Sequence, residues 1–428
     1  MSPVPILIGS FLICLIVGVP VFIALGVASA IAFAMTSVPL AIIPTTMYQG
    51  MDQFPLLAIP MFILAGTIME RTGLTEDIVA VFLRVFGRMR GSLGVATIIS
   101  CMFFSALNGS GPGTTAAVGA VMIPAMIRRG YGADYAGAVA SSGGTLGILI
   151  PPSNPMIIFG VLANVSIAKL FVAGFIPGLI IGSAHAFVAY YVARRANYGG
   201  TGEPFDWREI LRTIWKSKFA LAAPFVILGG IYGGICTPVE ASVVAVVYAG
   251  LAGWLVYRRL TWRVLYDSFK RTLVVFGPLS MLIGTSLVFG KLLVLYHAPD
   301  EIARFLGSIS KDGFVVLLVI IGFLLVIGMF METLSTIMIL TPILVPVLTK
   351  LGVNLIQFGI VFVVCNEVAF LVPPLGVNLF VAVSIAKVPL ERIALHALPH
   401  VIAIISCLIF LAYYPDISTW LPHVLGTP

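Results

Sequence analysis

Charge is scarce in this sequence. Asp, Glu, Lys and Arg make up 10% of its 428 residues and apolar residues 60%, whereas soluble globular domains carry roughly 25% charged residues. So few charges cannot wet a water-facing surface, which excludes a soluble fold and a disordered chain. Paired cysteines are missing too. Cys14, Cys101, Cys236, Cys365 and Cys407 sit in apolar stretches without CxxC spacing, so neither a disulfide framework nor a thiolate metal site is expected. There is no His/Cys cluster, no phosphate-cradling glycine loop and no nucleophile beside a base, so the chain is not expected to be an enzyme. No cleavable leader is evident, because the first apolar run continues directly into the next. The net charge of +7 does not point to nucleic acid, since basic residues in so apolar a chain mostly set orientation.

What the sequence does have is long apolar runs, at about 4–35, 55–70, 92–127, 134–193, 219–257, 272–296, 313–349, 355–386 and 393–412. About 20 apolar residues suffice for a helix to cross a hydrocarbon core of about 30 Å. The expected fold class is therefore an all-α polytopic membrane protein. Several runs are too long for one crossing. Gly and Pro divide them at Gly18-Val19-Pro20, Gly109 to Gly113, Pro151-Pro152, Gly233 to Pro238 and Pro373-Pro374. At membrane depth, broken backbone is tolerated only where protein buries it or it lines a cavity. Each break therefore marks packing or binding.

The basic residues sort the loops. Nineteen of the 24 Lys and Arg fall in 71–90 (Arg71, Arg84, Arg88, Arg90), at Arg128-Arg129, in 194–218, in 258–271, and at Lys387 and Arg392. The alternate loops hold only Lys169, Arg304, Lys311 and Lys350, while Lys291 lies within an apolar run. By the positive-inside bias the rich set is cytoplasmic. The chain then starts outside, dips in and back over 1–35, and crosses inward at 55–70; both termini lie outside.

Displacing the sequence by 222 residues superimposes its helix breakers: Pro124 on Pro346, Gly130 on Gly352, Pro151-Pro152 on Pro373-Pro374 and Pro177 on Pro399. The equivalent loops differ in charge, since Arg128-Arg129 is basic whereas its partner around Lys350 lies on the poor side. The halves are thus expected to run in opposite directions. Inverted repeats with paired broken helices are a hallmark of secondary transporters, whose sites form where the breaks meet. Each half offers a re-entrant hairpin, 92–127 with its tip at Ser105 to Gly113 and 313–349 with its tip at Gly328 to Thr333. Each hairpin is followed by a helix broken at a double proline, Gly147 to Pro152 and Ala369 to Pro374.

The runs SALNGSGPGTTAAVGAVMIPAMIRRGY, GTLGILIPPS, GGICTPVEAS, METLSTIMILTPILVP and VPPLGVNLF, in this order over nearly the whole chain, resemble the large membrane subunit of TRAP (tripartite ATP-independent periplasmic) transporters. The resemblance implies an elevator-type importer of the ion-transporter superfamily in the bacterial inner membrane, with both termini periplasmic and sodium as the coupling ion. It also implies a small four-helix membrane subunit and a periplasmic substrate-binding protein as partners. Family cargoes include sialic acids, dicarboxylates, sulfonates and ectoine-like solutes. Two departures stand out. The family often has Ser-x-x-Ser-Gly-Ser at the first tip, where this chain has Asn108 between Ser105 and Gly109-Ser110; the family's Thr before the second double proline is Val372 here.

Sodium needs several oxygen ligands, and unwound helix supplies carbonyls without burying a carboxylate. The first break against the first tip makes one candidate site, for which the resemblance points to Ser105, Asn108, Gly147, Ile150 and Pro152. The equivalent second site would use Gly328, Met331, Ala369, Val372 and Pro374. Ala369, Val372 and Pro374 each lie 222 residues beyond Gly147, Ile150 and Pro152. An anionic substrate would sit between the tips at half-helix N-termini, near Ser110, Thr114, Asn154, Thr333 and Asn378. Apart from sodium no cofactor is expected. Three carboxylates lie in apolar surroundings. Glu332 and Glu367 flank the second site as possible coupling carboxylates, whereas Glu240 beside Pro238 is expected to cap a helix. His185 stands alone and is expected to be a hydrogen-bonded core residue. Lys291 is expected to snorkel toward the outer interface, and 194–218, with Trp207 and Trp215, to form a surface helix or a partner contact.

The expected organisation is scaffold and arm helices over 1–91, a transport-domain half over 92–165, and a scaffold helix with cytoplasmic linker over 166–218. Scaffold and arms follow over 219–312, the second transport half over 313–386, and a C-terminal scaffold helix over 387–428. A stand-alone carboxylate carrier driven by protons or sodium is the alternative function, and an anion channel with a fixed pore is a more distant one.

Overall fold

The computed structural model describes residues 3–86, 91–200, 206–310 and 312–426, and no strand occurs among them. Arg88, Arg90 and Lys311, counted in the charge pattern, lie outside the described residues. Among the described residues six helices are long and apolar enough to cross a membrane, or up to eight if each of two bent pairs is one span. The polytopic helical expectation holds.

The first half runs α1 (Val4–Ile16), α2 (Val21–Ala34), α3 (Ile42–Met51), a 3-10 turn at Phe54–Leu57, α4 (Ala58–Thr72) and α5 (Leu74–Phe86). It continues through a hairpin of α6 (Ser92–Asn108) and α7 (Gly111–Arg128), a broken helix of α8 (Ala133–Thr145) and α9 (Asn154–Ala163), and α10 (Ile167–Arg195). A linker helix, α11 (Trp207–Lys216), bends by 61° into α12 (Lys218–Tyr232). Then come α13 (Pro238–Leu251), α14 (Trp262–Leu295) and α15 (Ala298–Ile309). The second hairpin is α16 (Gly313–Gly328) and α17 (Thr333–Lys350), and the second broken helix α18 (Leu355–Ala369) and α19 (Val377–Ala386). The chain closes with α20 (Leu390–Tyr413) and α21 (Asp416–Val424).

The displacement read from the prolines also aligns the helices: α7 and α17 begin at 111 and 333 and end at 128 and 350. Both double prolines contain a cis bond, and Gly130 and Gly352 both turn left-handed at φ 82° and 71°. Inversion is visible along α20. The Asp134 carboxylate at the start of α8 lies 4.0 Å from His396, near the beginning of α20. At the start of α18, Gln357 Nε2 donates to the carbonyls of Leu411 and Ala412 at the other end of α20. The two broken helices therefore enter from opposite ends. One element departs from the symmetry. Residues 262–295 form one continuous helix, whereas the equivalent stretch of the first half is split into α3, the turn and α4.

One body is built from α1, α2, α4, α13 and α14, with α3 lying on α14, while α5 packs chiefly on α6 of the first hairpin. Its lower rim is tied by Arg71 to Asp267 at 3.3 Å, by the Tyr257 hydroxyl donating to Asp77 at 2.7 Å, and by an Arg84–Glu209 pair reaching α11. The other body contains both hairpins and both broken helices. The principal neighbours of α10 and α20 are α6, α8, α18, the C-terminal α21 and each other, so these two helices lie against the hairpin halves. His185 lies with its Nδ1 3.0 Å from that of His400, a buried pair joining α10 to α20. At α13, Thr237 and Glu240 form a reciprocal capping box, the capping role expected of Glu240. On α11, Trp207 and Trp215 are exposed and Lys218 stacks over the Trp215 ring, as suits a surface helix.

Candidate functional site

The first hairpin tip lies directly on the first break. Gly109 O accepts from Asn154 N at 3.4 Å. A side chain at Gly147 would strike the Ser110 carbonyl group, whose carbon lies 2.7 Å from the Cβ position, with Thr114 Oγ1 at the same distance. A side chain at Gly109 would come 2.8 Å from Pro152 O. Residues 141–160 are buried throughout. Ser153 accepts from Met156 N at 3.3 Å and so starts α9, while its hydroxyl donates back across the break to Ile148 O. Proline, lacking an N–H and clashing with the turn before it, keeps this segment unwound.

The structure thus brings Gly147, Pro152 and the tip together and adds Thr114 to them. The Ser105 hydroxyl donates to Cys101 O at 2.6 Å, leaving its oxygen free as an acceptor. Ile150 turns its side chain toward Gly178 of α10, so it can offer only its carbonyl. The Asn108 amide lies against Gly66 of α4 and Gly113 of α7, away from the break. The enclosed, oxygen-rich character of this place fits a hard monovalent cation.

The second set is looser. Gly328 touches Ala369, and Leu375 N donates to Met329 O at 3.3 Å. Met331 and Val372 are half-buried and Pro374 is exposed. Glu332 occupies the position equivalent to Ser110, and each caps the second arm of its hairpin. The Glu332 carboxylate accepts from Leu334 N at 3.1 Å and Ser335 N at 3.2 Å; Ser110 accepts from Gly113 N at 3.4 Å. Glu367 is fully buried and neither carboxylate oxygen has a hydrogen-bond partner among the described residues. Beside it Asn366 donates to Phe362 O while its Oδ1 is unpartnered.

Between the tips and the scaffold lies a cavity of about 360 Å³. Its lining runs along α4 from Ile63 to Glu70, along α14 from Leu279 to Arg271, along α7 to Ala116 and along α19 to Val381. All four directions lead toward the end that carries Arg128, Arg129 and Lys387. Ser110, Asn154 and Thr333 line this space, whereas Thr114 and Asn378 lie behind it. Asn378 Nδ2 donates to Ser141 O at 3.0 Å, pinning α19 to α8. Four of the five candidate substrate residues share one property: Thr114 Oγ1, Asn154 Oδ1, Thr333 Oγ1 and Asn378 Oδ1 are buried without a partner.

Two lining residues escaped the sequence reading. Phe370 of the second break packs on Gly111 of the first tip, 2.6 Å from the position of a Cβ there, and so couples the halves. Arg271 counted only as an orientation charge, yet its Nη1 lies 3.4 Å from both oxygens of Glu70 inside the cavity. The signal for Arg271 was present, since an apolar helix begins directly after it.

The family description "Tripartite ATP-independent periplasmic transporter, DctM component" matches residues 8–417. The isethionate TRAP transporter permease protein DctMQ of Oleidesulfovibrio alaskensis is 38% identical over 97% of this chain, which spans 66% of that relative's length. The C4-dicarboxylate TRAP transporter large permease protein DctM of Vibrio cholerae is 35% identical over 97% of this chain and 96% of its own. The sialic acid TRAP transporter permease protein SiaT of Haemophilus influenzae is 33% identical over 97% of this chain and 67% of its own. The crystal structure of the Alcanivorax borkumensis YdaH transporter superimposes with a TM-score of 0.66 over 99% of both chains at 14% identity, a likeness of fold alone.

Proposed function

This chain belongs to the DctM components of the tripartite ATP-independent periplasmic transporters, and from that premise we propose that a small organic acid crosses the bacterial inner membrane through it. One observation carries the reading: Asn154 and Thr333, whose buried Oδ1 and Oγ1 have no partner among the described residues, line the cavity between the hairpin tips and the breaks, with the unpartnered Thr114 and Asn378 behind them. A buried polar group without a partner costs about 1–3 kcal/mol, and a ligand that supplies the missing bonds removes that cost. The N-termini of α7, α9, α17 and α19 start around the same place, and their free N–H groups favour an anion. Isethionate, C4-dicarboxylates and sialic acid, named for the relatives, support an acidic cargo.

Sodium travels with the cargo in this proposal, held at the first break by the carbonyls of Gly147, Ile150 and Pro152 with Ser105 and Thr114. The second site, around Gly328, Met331, Ala369, Val372 and Pro374, draws on Asn366 and Glu367. The moving unit comprises the hairpins and broken helices together with α10 and α20, and it slides against α4 and α14 as an elevator. The cavity then faces the cytoplasm, and both termini are periplasmic. A periplasmic binding protein delivers the cargo, and a small membrane subunit completes the scaffold; the greater length of the DctMQ relative supports such a second piece.

The test is uptake into proteoliposomes holding this chain, its small subunit and the loaded binding protein. Uptake is expected to require an inward sodium gradient and to ignore ATP. Equal uptake with potassium overturns sodium coupling, and no uptake of any organic acid overturns the cargo. A second reading is favoured by Glu367, whose buried unpaired carboxyl needs a proton or a cation to be tolerated. If protons contribute, Glu367→Gln removes the external-pH dependence of uptake while sodium dependence persists.

A further inference from the structure

Lys291 interrupts the apolar run 272–296 near its outer end and is exposed there, as snorkelling requires. Its Nζ donates to Thr46 Oγ1 at 3.2 Å, reaching sideways to α3, and no acidic partner is found among the described residues. It lines a crevice of about 430 Å³ at the end of the molecule opposite the cavity, with Gln49, Gln53 and Asn164 among its walls. The ligand groups on offer there are one ammonium, a hydroxyl and three amides. The far wall is α9 and α17, the helices that begin at Asn154 and Thr333.

The same helix carries Arg271 at the other mouth. Twenty residues of helix separate the two, about 30 Å, which is the thickness of the hydrocarbon core. Their surroundings differ. Arg271 faces Glu70 at 3.4 Å and shares its cavity with Glu332, so its charge is offset. Lys291 is not offset. By the 222-residue displacement the partner of Arg271 is Gln49, so the periplasmic crevice has exchanged a guanidinium for an amide and gained its cation elsewhere. A compact ammonium among neutral donors attracts an anion without the bidentate grip of an arginine, and a cation with no carboxylate beside it raises the local concentration of anions.

We propose that the Lys291 crevice is an anion-capture site, where the carboxylate or sulfonate of the cargo first engages this subunit. It rests on the organic-acid reading above and adds an entry site to it: capture at a free cation, release past a neutralised one.

The experiment uses the complete transporter in proteoliposomes of neutral phosphatidylcholine, with Lys291→Cys modified from outside by 2-aminoethyl or 2-sulfonatoethyl methanethiosulfonate. Unmodified Lys291→Cys is expected to lose uptake about tenfold, the scale seen when a charge contact is removed, and Lys291→Arg to retain it. The ammonium adduct is expected to restore uptake and the sulfonate adduct to leave it low; equal behaviour of the two adducts overturns the proposal. Free organic acid is expected to slow the modification. Protection by the unloaded binding protein alone would make Lys291 a protein contact, and an effect that appears only with anionic lipid would make it a headgroup contact; either overturns the proposal. Wild-type protein that imports no organic acid would instead defeat the functional reading itself.

Discussion

At the scale of single residues, the first break is governed by what cannot fit. Gly147 has the Ser110 carbonyl carbon 2.7 Å from its Cβ position, and backbone cannot swing aside as a side chain can. Gly147→Ala is expected to push the tip off the break and lower uptake at least about tenfold, the effect of roughly 1.4 kcal/mol. Gly322→Ala in α16, with open space around it, should leave both uptake and folding intact. Glu332 is tested through its repeat partner. If capping is its work, Glu332→Ser reproduces Ser110, and sodium-driven uptake is expected to stay within about twofold while Glu332→Ala costs about 1 kcal/mol of stability. A large loss in Glu332→Ser would reveal a duty of the carboxylate itself. The breaks and tips were legible because Pro and Gly act locally. The equivalence of Ser110 and Glu332 as caps was not, because a serine and a glutamate share no composition signal, only a position.

At the scale of elements, α14 has the most to say. Its Gly290 meets Pro342 of α17 with only 2.8 Å between the Cβ positions, so the two helices are in direct contact at the end of the molecule opposite the cavity. Gly290→Leu is expected to hold them apart, disfavouring the conformation described here and reducing uptake about tenfold. The charges of this helix were legible along the chain, but the pairing of Arg271 with Glu70 and the contact of Lys291 with Thr46 were not, because periodicity does not reveal which side of a long apolar helix faces a neighbour. The neighbours of α10 and α20 were equally hidden: their apolar composition suits either body, and only the structure shows them against α6, α8 and α18.

At the scale of the whole molecule, inversion was legible from the charge of equivalent loops, since a parallel duplication would have kept Arg128-Arg129 and Lys350 on one face. Which mouth stands open was not, because both conformations share one sequence. The cavity predicts that Val275→Cys, on the lining of α14, reacts with a membrane-impermeant thiol reagent from the cytoplasmic face and not from the periplasmic one; the reverse result would overturn the assigned orientation. The halves are nonetheless unequal mechanically. A 34-residue continuous α14 is a stiff strut, whereas α3, the turn at Phe54–Leu57 and α4 form a jointed one. If the hairpin half slides as proposed, the load it exerts is taken up by bending on one side and by resistance on the other. Duplicated parts can therefore yield a machine with a preferred parking position, set by stiffness before any passenger boards.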